Sequence, residues 1–128
     1  MTRQSENSSL PCVLVVDQLD TTHEVLSTML ERRGVSILQA RRAGAGLELA
    51  RRHHPDVIVL DVDDSTDCDD GPCARLQREA QLQETSIVLL GSTRGSEQPD
   101  GAEFVRKPYH YGPLIRRIEA LLERRRAA

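Results

Sequence analysis

Two apolar runs in this chain of 128 residues end in a carboxylate: Val13-Leu-Val-Val16 runs into Asp17, and Val57-Ile-Val-Leu60 runs into Asp61. A short apolar run without polar alternation suits a strand covered on both faces, and in open sheets of such strands ligands collect at the carboxyl ends. Asp17 and Asp61 are therefore expected to share a site. Carboxylates that close repel one another by about 4 kcal/mol per pair at 4 Å and an effective dielectric of 20, so they stay ionised only beside a cation. The segment around Asp61 is acidic throughout, with Asp56, Asp63, Asp64, Asp67, Asp69 and Asp70, and it reads as a cation site.

The rest of the composition narrows the classes of function. One domain of ordinary size fits this length, with a core built from Val, Leu, Ile and Ala, since aromatic residues make up 2% and Trp is absent. Stacking on bases is not available as a binding device, which counts against single-stranded nucleic acid. Net charge is −3, with Arg116, Arg117, Arg124, Arg125 and Arg126 clustered near the C-terminus as a solvated helix face. No helix-turn-helix or other nucleic-acid-reading module fits beside the domain. Cys12, Cys68 and Cys73 are odd in number and contain no C-x-x-C pair, so neither a disulfide framework nor a four-cysteine zinc site is expected. Residues 1–10 read as a disordered leader and 11–128 as a single domain; no stretch has the length of a membrane span or the apolar core of a signal peptide. A cytoplasmic protein without membrane contact is expected.

Strands and helices alternate along the chain. Cys12 to Val16 is a strand, and Val25, Leu26, Met29 and Leu30 recur at helical spacing before Gly34 stops the helix. Val35 to Gln39 reads as a second strand, followed by a helix lined by Ala43, Leu47 and Ala50 that ends before Pro55. The third strand is Val57 to Asp61, an acidic loop reaches Gly71, and a helix occupies Pro72 to Leu82 with Pro72 in its first turn. Ile87 to Leu90 is a fourth strand. Gly91 to Gly101, rich in Gly, Ser and Pro, is read as a loop, and Phe104 to Arg106 as a short fifth strand. Leu114, Ile115, Ile118, Leu121 and Leu122 then form the apolar stripe of a closing helix. This order predicts a five-stranded parallel α/β sheet with right-handed crossovers and helices on both faces.

With that order, the chain resembles the receiver domain of two-component response regulators, CheY-like, from about Cys12 to Arg124. The resemblance rests on VLVVD ending at Asp17, PDVIVLD ending at Asp61 and GAEFVRKP containing Lys107-Pro108. It implies a flavodoxin-like doubly wound fold in which Asp61 accepts a phosphoryl group, Asp17 is a carboxylate of the magnesium shell and Lys107 contacts the phosphoryl group. It implies further that the backbone carbonyl of Asp63 ligates Mg2+ whatever its side chain, and that a cis peptide at Pro108 aims the lysine inward. Magnesium suits such a site because it prefers oxygen ligands and takes one or two carboxylates plus phosphate oxygens. As partners it implies a histidine kinase and a downstream protein, with no enzymatic activity of the domain's own; oligomeric state stays open.

Three positions depart from the family pattern. Gln18 stands where a second carboxylate usually follows the first; its amide oxygen can ligate Mg2+, but with one charge fewer, weaker binding is expected. Gly91 stands where the fourth strand usually ends in Thr or Ser; Ser92 or Thr93 supplies the hydroxyl only if the strand slips by a residue or the glycine bends the loop. The stretch from Gly91 to Lys107 is short, so the family's fourth helix is expected to be truncated or absent. Phe104 lies near the place of an aromatic switch residue with Tyr109 close behind, although packing is the plainer role for both.

Plainer readings stand beside these. Asp61 alone could cap a turn, and Lys107 alone would be a surface lysine. The acidic run is not an EF-hand, because counting from Gly71 puts Thr66, Cys68 and Gln77 at ligand positions; Asp64, Asp67, Asp69 and Asp70 are expected as a solvated loop. His53 and His54 complement a helix end, while His23 and His110 carry no partner signal. No glycine-rich phosphate loop follows the first strand, since Gln18 to Thr22 contains none, which leaves a flavodoxin-like small-molecule binder without support. Two functions remain: a stand-alone receiver in phosphorelay signalling, and a pseudo-receiver that binds a protein partner without phosphorylation.

Overall fold

A computed structural model describes residues 10–63, 71–92 and 102–127. Five strands, β1 (Cys12–Val16), β2 (Ser36–Ala40), β3 (Val57–Asp61), β4 (Ser86–Gly91) and β5 (Ala102–Arg106), form one parallel sheet in the order β2-β1-β3-β4-β5. Among the described residues there are four helices: α1 (Asp20–Glu31), α2 (Ala43–His53), α3 (Pro72–Leu82) and α4 (Tyr111–Ala127). The strand order reverses between β1 and β3, which opens a crevice at their carboxyl ends.

The uninterrupted apolar runs have the reason expected of them. Along β3 the side chains alternate between two cores: Val57 and Val59 pack under α1 and α4, while Ile58 and Leu60 pack under α2 and α3. β1 divides in the same way, Val13 and Val15 against Leu14 and Val16. The α4 stripe of Leu114, Ile115, Ile118, Leu121 and Leu122 is entirely buried. Pro72 opens α3 after Gly71, where its missing N–H removes no helical bond.

Several expectations are shifted. β2 begins and ends one residue later than read, and β5 starts at Ala102, two residues before Phe104, because Ala102 and Glu103 pair with Ile87 and Val88. Residues 1–9, 64–70, 93–101 and 128 lie outside the described residues; the expected leader, Cys68, Thr93, most of the acidic carboxylates and the stretch where the family's fourth helix was expected to be truncated or absent fall there. Asp56 does not belong to a cation site. It precedes β3, at the far end of the sheet from Asp61, where Oδ2 accepts from the Cys12 N–H at 2.8 Å and Oδ1 from Arg125 Nε at 3.0 Å. Arg125 also donates to the Glu84 carbonyl at 2.6 Å, so one of the terminal arginines ties α4 to the sheet and is not simply solvated.

Candidate functional site

Both strand-end aspartates fold back on their own turns in the same way. The Leu19 N–H donates to Asp17 Oδ1 at 2.8 Å, and the Asp63 N–H donates to Asp61 Oδ1 at 2.8 Å. Aspartate favours such turns because its carboxylate reaches a backbone N–H two residues on. Turn capping is therefore real at Asp61, and it is combined with a charge cluster. Lys107 Nζ lies 2.6 Å from Asp61 Oδ2 and 3.2 Å from Asp63 Oδ2. Its backbone is fixed where β5 ends, with the Lys107 N–H donating to the Gly91 carbonyl at 2.9 Å and the Lys107–Pro108 peptide cis.

The two buried aspartates differ in their needs. Asp61 has a partner on each oxygen, Asp63 N–H and Lys107 Nζ. Asp17, only 2% exposed, has an Oδ2 that is buried without a hydrogen-bond partner. Burial raises the Asp17 pKa and the charge of Asp61 adds to this, against the opposing pull of the Leu19 N–H and the nearby Thr22 hydroxyl. For Lys107, burial alone would lower the pKa, but the hydrogen bond and charge of Asp61, then those of Asp63, outweigh it and hold the ammonium above its usual range.

Asp63 is engaged differently from the other two. Its Oδ1 accepts from the Ser92 N–H at 2.8 Å and its Oδ2 from the Ser92 hydroxyl at 2.8 Å. These two bonds, with help from Lys107, hold its carboxyl below the usual carboxylate range. Gly91 makes no hydroxyl contact, and Ser92 is the residue that reaches the site. No strand slip is involved, because β4 continues in register through Gly91 opposite Arg106.

Beside Asp17 and Lys107 lies an open cleft of about 380 Å³, lined also by Leu19, Thr22, Ser92, Pro108, Tyr109 and Tyr111. Tyr109 and Tyr111 meet edge to face with ring centroids 5.6 Å apart. The sequence marks Tyr109 for packing and gives Thr22 no role at the site. Their position shows only in three dimensions: Thr22 sits in the first turn of α1, and its hydroxyl lies beside both Asp17 and Tyr109. Burial chiefly raises the Tyr109 pKa, so its hydroxyl stays protonated at neutral pH.

The remaining candidates fall away from the cleft. Gln18 is exposed, and its backbone carbonyl accepts from Arg41 at 3.3 Å. Phe104 is partly buried against the core under α2 and α3. His23 finds a partner that the sequence did not signal, its buried Nε2–H donating to the Asp17 carbonyl at 2.7 Å. His54 closes α2 in a left-handed conformation with φ 50°.

Three carboxylates around one ammonium leave an excess of negative charge, and every donor is a hard oxygen. The buried Oδ2 of Asp17, without a hydrogen-bond partner, leaves a hard oxygen donor open, so the residues fit Mg2+ through Asp17 and Asp61. Among the described residues no group of three or more His, Cys, Asp or Glu side chains is arranged to hold a metal ion by itself, and the Asp63 carboxylate is bound to Ser92.

Fold and sequence comparisons agree on the class. The structure superposes on the receiver-modulated diguanylate cyclase of Pelobacter carbinolicus with TM-score 0.71 and 27% identity, over 92% of this chain and 97% of that one. It superposes on Vibrio cholerae CheY4 with TM-score 0.70 and 20% identity, over 88% and 98%. Protein PilH of Pseudomonas aeruginosa is 27% identical over 117 residues, 86% of this chain and 96% of PilH. The chain is a CheY-like receiver domain. No protein-family model matches it. This receiver domain is also 30% identical over 125 residues to the transcriptional regulatory protein AfsQ1 of Streptomyces coelicolor, of which it spans 52%. Lys107 lies against Asp61 and lines the cleft with Asp17, whereas the exposed Gln18 and the core-packed Phe104 do not line it. No helix among the described residues is long and apolar enough to cross a membrane.

Proposed function

We propose that this receiver domain takes a phosphoryl group on Asp61 from a phosphohistidine of a histidine kinase and passes the signal on by altered contact with a downstream protein in the cytoplasm. The observation that carries this reading is the 2.6 Å contact between Lys107 Nζ and Asp61 Oδ2 at the mouth of a cleft that holds a second, unsatisfied carboxylate, Asp17. In the transfer, a carboxylate oxygen of Asp61 attacks phosphorus, the new O–P bond forms, and the P–N bond to the kinase imidazole breaks with its electron pair leaving on nitrogen. Lys107 neutralises charge on the phosphoryl oxygens. Mg2+ held by Asp17, Asp61 and the Asp63 carbonyl would supply further charge neutralisation on those oxygens. Asp61 is kept oriented by the Asp63 N–H, and Thr22 and Tyr109 border the cleft on the α1 side.

A second reading has its own support. Gly91 offers no hydroxyl and Gln18 is exposed, which suits a pseudo-receiver that binds a partner without phosphorylation. Intact mass after incubation with acetyl phosphate, with and without Mg2+, separates the two. One added phosphoryl group that requires both Mg2+ and Asp61, and is lost in Asp61→Ala, supports the first. No addition to folded protein supports the second.

A further inference from the structure

Asp63 and Ser92 are bound to one another more completely than either is to the acceptor. Asp63 spends both oxygens on Ser92, one on the N–H and one on the hydroxyl, each at 2.8 Å, and its Oδ2 is also 3.2 Å from Lys107 Nζ. A carboxylate that receives a backbone N–H, a hydroxyl and an ammonium is held as a small oxyanion is held. Ser92 and Lys107 both line the cleft, and Lys107 reaches from it to Asp61 Oδ2 at 2.6 Å.

The glycine at 91 belongs to the same arrangement. A Cβ at this position would lie 2.9 Å from Val62 Cγ2, 3.2 Å from Asp63 Oδ1 and 3.2 Å from Phe104 Cζ. The space that a Thr or Ser side chain would fill is thus bordered closely by the Asp63 carboxylate, and the hydroxyl arrives one residue later on Ser92. The departure at Gly91 and the Asp63–Ser92 contact are two parts of one device.

We infer that the Asp63 carboxylate is a built-in competitor for the phosphoryl group, occupying Ser92 and sharing Lys107 until a phosphoryl group on Asp61 displaces it. Ser92 then supplies the hydroxyl contact that Gly91 lacks, and released Asp63 turns away because its charge is repelled by the phosphoryl oxygens. The Asp63–Ser92 contact is the element with two arrangements that phosphorylation biases. The competition rests on the proposed role of Asp61; the carboxylate's hold on an oxyanion position does not.

The test compares wild type, Asp63→Ala and Asp63→Asn in the full chain, following intact mass over time with acetyl phosphate and Mg2+. Here the P–O bond to acetate breaks and acetate leaves with the electron pair. Asp63→Ala is expected to be modified about tenfold faster or more, the scale of losing one charge-assisted hydrogen bond. Asp63→Asn is expected to be faster than wild type by less, because its Oδ1 still accepts from the Ser92 N–H; it also carries the test if Asp63→Ala does not fold. Rates equal to or below wild type in folded variants overturn the inference. If no protein is modified, the role of Asp61 fails, and titration with inorganic phosphate decides the rest. A Ser92 amide resonance that shifts in the variant and not in wild type sustains the competitor; a resonance that shifts in neither overturns it.

Discussion

Lys107 Nζ and Asp61 Oδ2 stand 2.6 Å apart, joining the ends of β5 and β3 across 46 residues of sequence. The Asp61 side chain is 2% exposed and that of Lys107 25%, so this contact works in a medium that screens less than water. Its removal from one side only leaves Asp61 facing Asp17 without a counter-charge.

Lys107→Ala is accordingly expected to destabilise the domain by about 1–3 kcal/mol, and Asp61→Asn in the same chain to restore most of the loss. Urea unfolding of the two single variants and the double variant measures the coupling. Equal losses that simply add would show that the pair carries no net interaction.

Asp17 should oppose folding at neutral pH when no metal is bound. Its folded pKa is raised by burial and by Asp61, so the ionised form is penalised in the native state. A group with a raised folded pKa contributes stability below its unfolded value and loses it as pH rises through the folded one. Asp17→Asn is therefore expected to raise the melting temperature by several degrees at pH 7 in chelator, and the gain should shrink as pH falls through the carboxylate range. Added Mg2+ is expected to raise the melting temperature of wild type and to do so less in this variant. Melting curves from pH 3.5 to 7.5 with and without Mg2+ check both parts.

Two glycines of α2 should respond to alanine with opposite sign. Gly46 is buried, and a Cβ there would come 2.7 Å from Val16 Cγ2 and 3.4 Å from Leu76 Cδ2. Gly44 is exposed and has nothing within 4 Å of that position. Gly46→Ala is expected to destabilise by about 1–3 kcal/mol by pushing α2 off β1, and Gly44→Ala to stabilise by about 0.5–1 kcal/mol through helix propensity. Denaturant midpoints of the two variants give the comparison directly.

Cys12 should be a poor nucleophile in the native state. Burial and then the charge of Asp56 push its thiol up to about 11. At pH 7.5 its alkylation by iodoacetamide is expected to run roughly a hundredfold slower than that of an unhindered peptide thiol, and to recover in urea. Peptide mapping after timed alkylation distinguishes Cys12 from the other cysteines, and a native rate matching the unfolded one would refute the assignment.

Much of this architecture was legible because the apolar runs and stripes are strong signals. Val57 to Leu60 must be covered on both faces, and Leu114 to Leu122 can bury one stripe only as a helix; both are placed as read. Asp56 is near Asp61 in sequence but not in space, so the acidic segment does not act as one cation site. A strand of five residues separates the two ends of the sheet, and Asp56 lies at the end occupied by Cys12 and Arg125. β5 was read short because Ala102 and Glu103 have little strand propensity of their own and are held by pairing with β4.

The sequence by itself determined the strand order of apolarity, the carboxylates at the ends of β1 and β3 and the lysine after β5, since each follows from local pattern and from which ends a parallel sheet aligns. Only the tertiary structure decided which polar atoms meet. Asp63 turns from the acceptor to Ser92, Thr22 and Tyr109 join the cleft, and one oxygen of Asp17 is left without a partner. Hydrogen bonds are short and directional, so they are settled by angstrom-scale placement of strand ends and loops that no periodicity encodes.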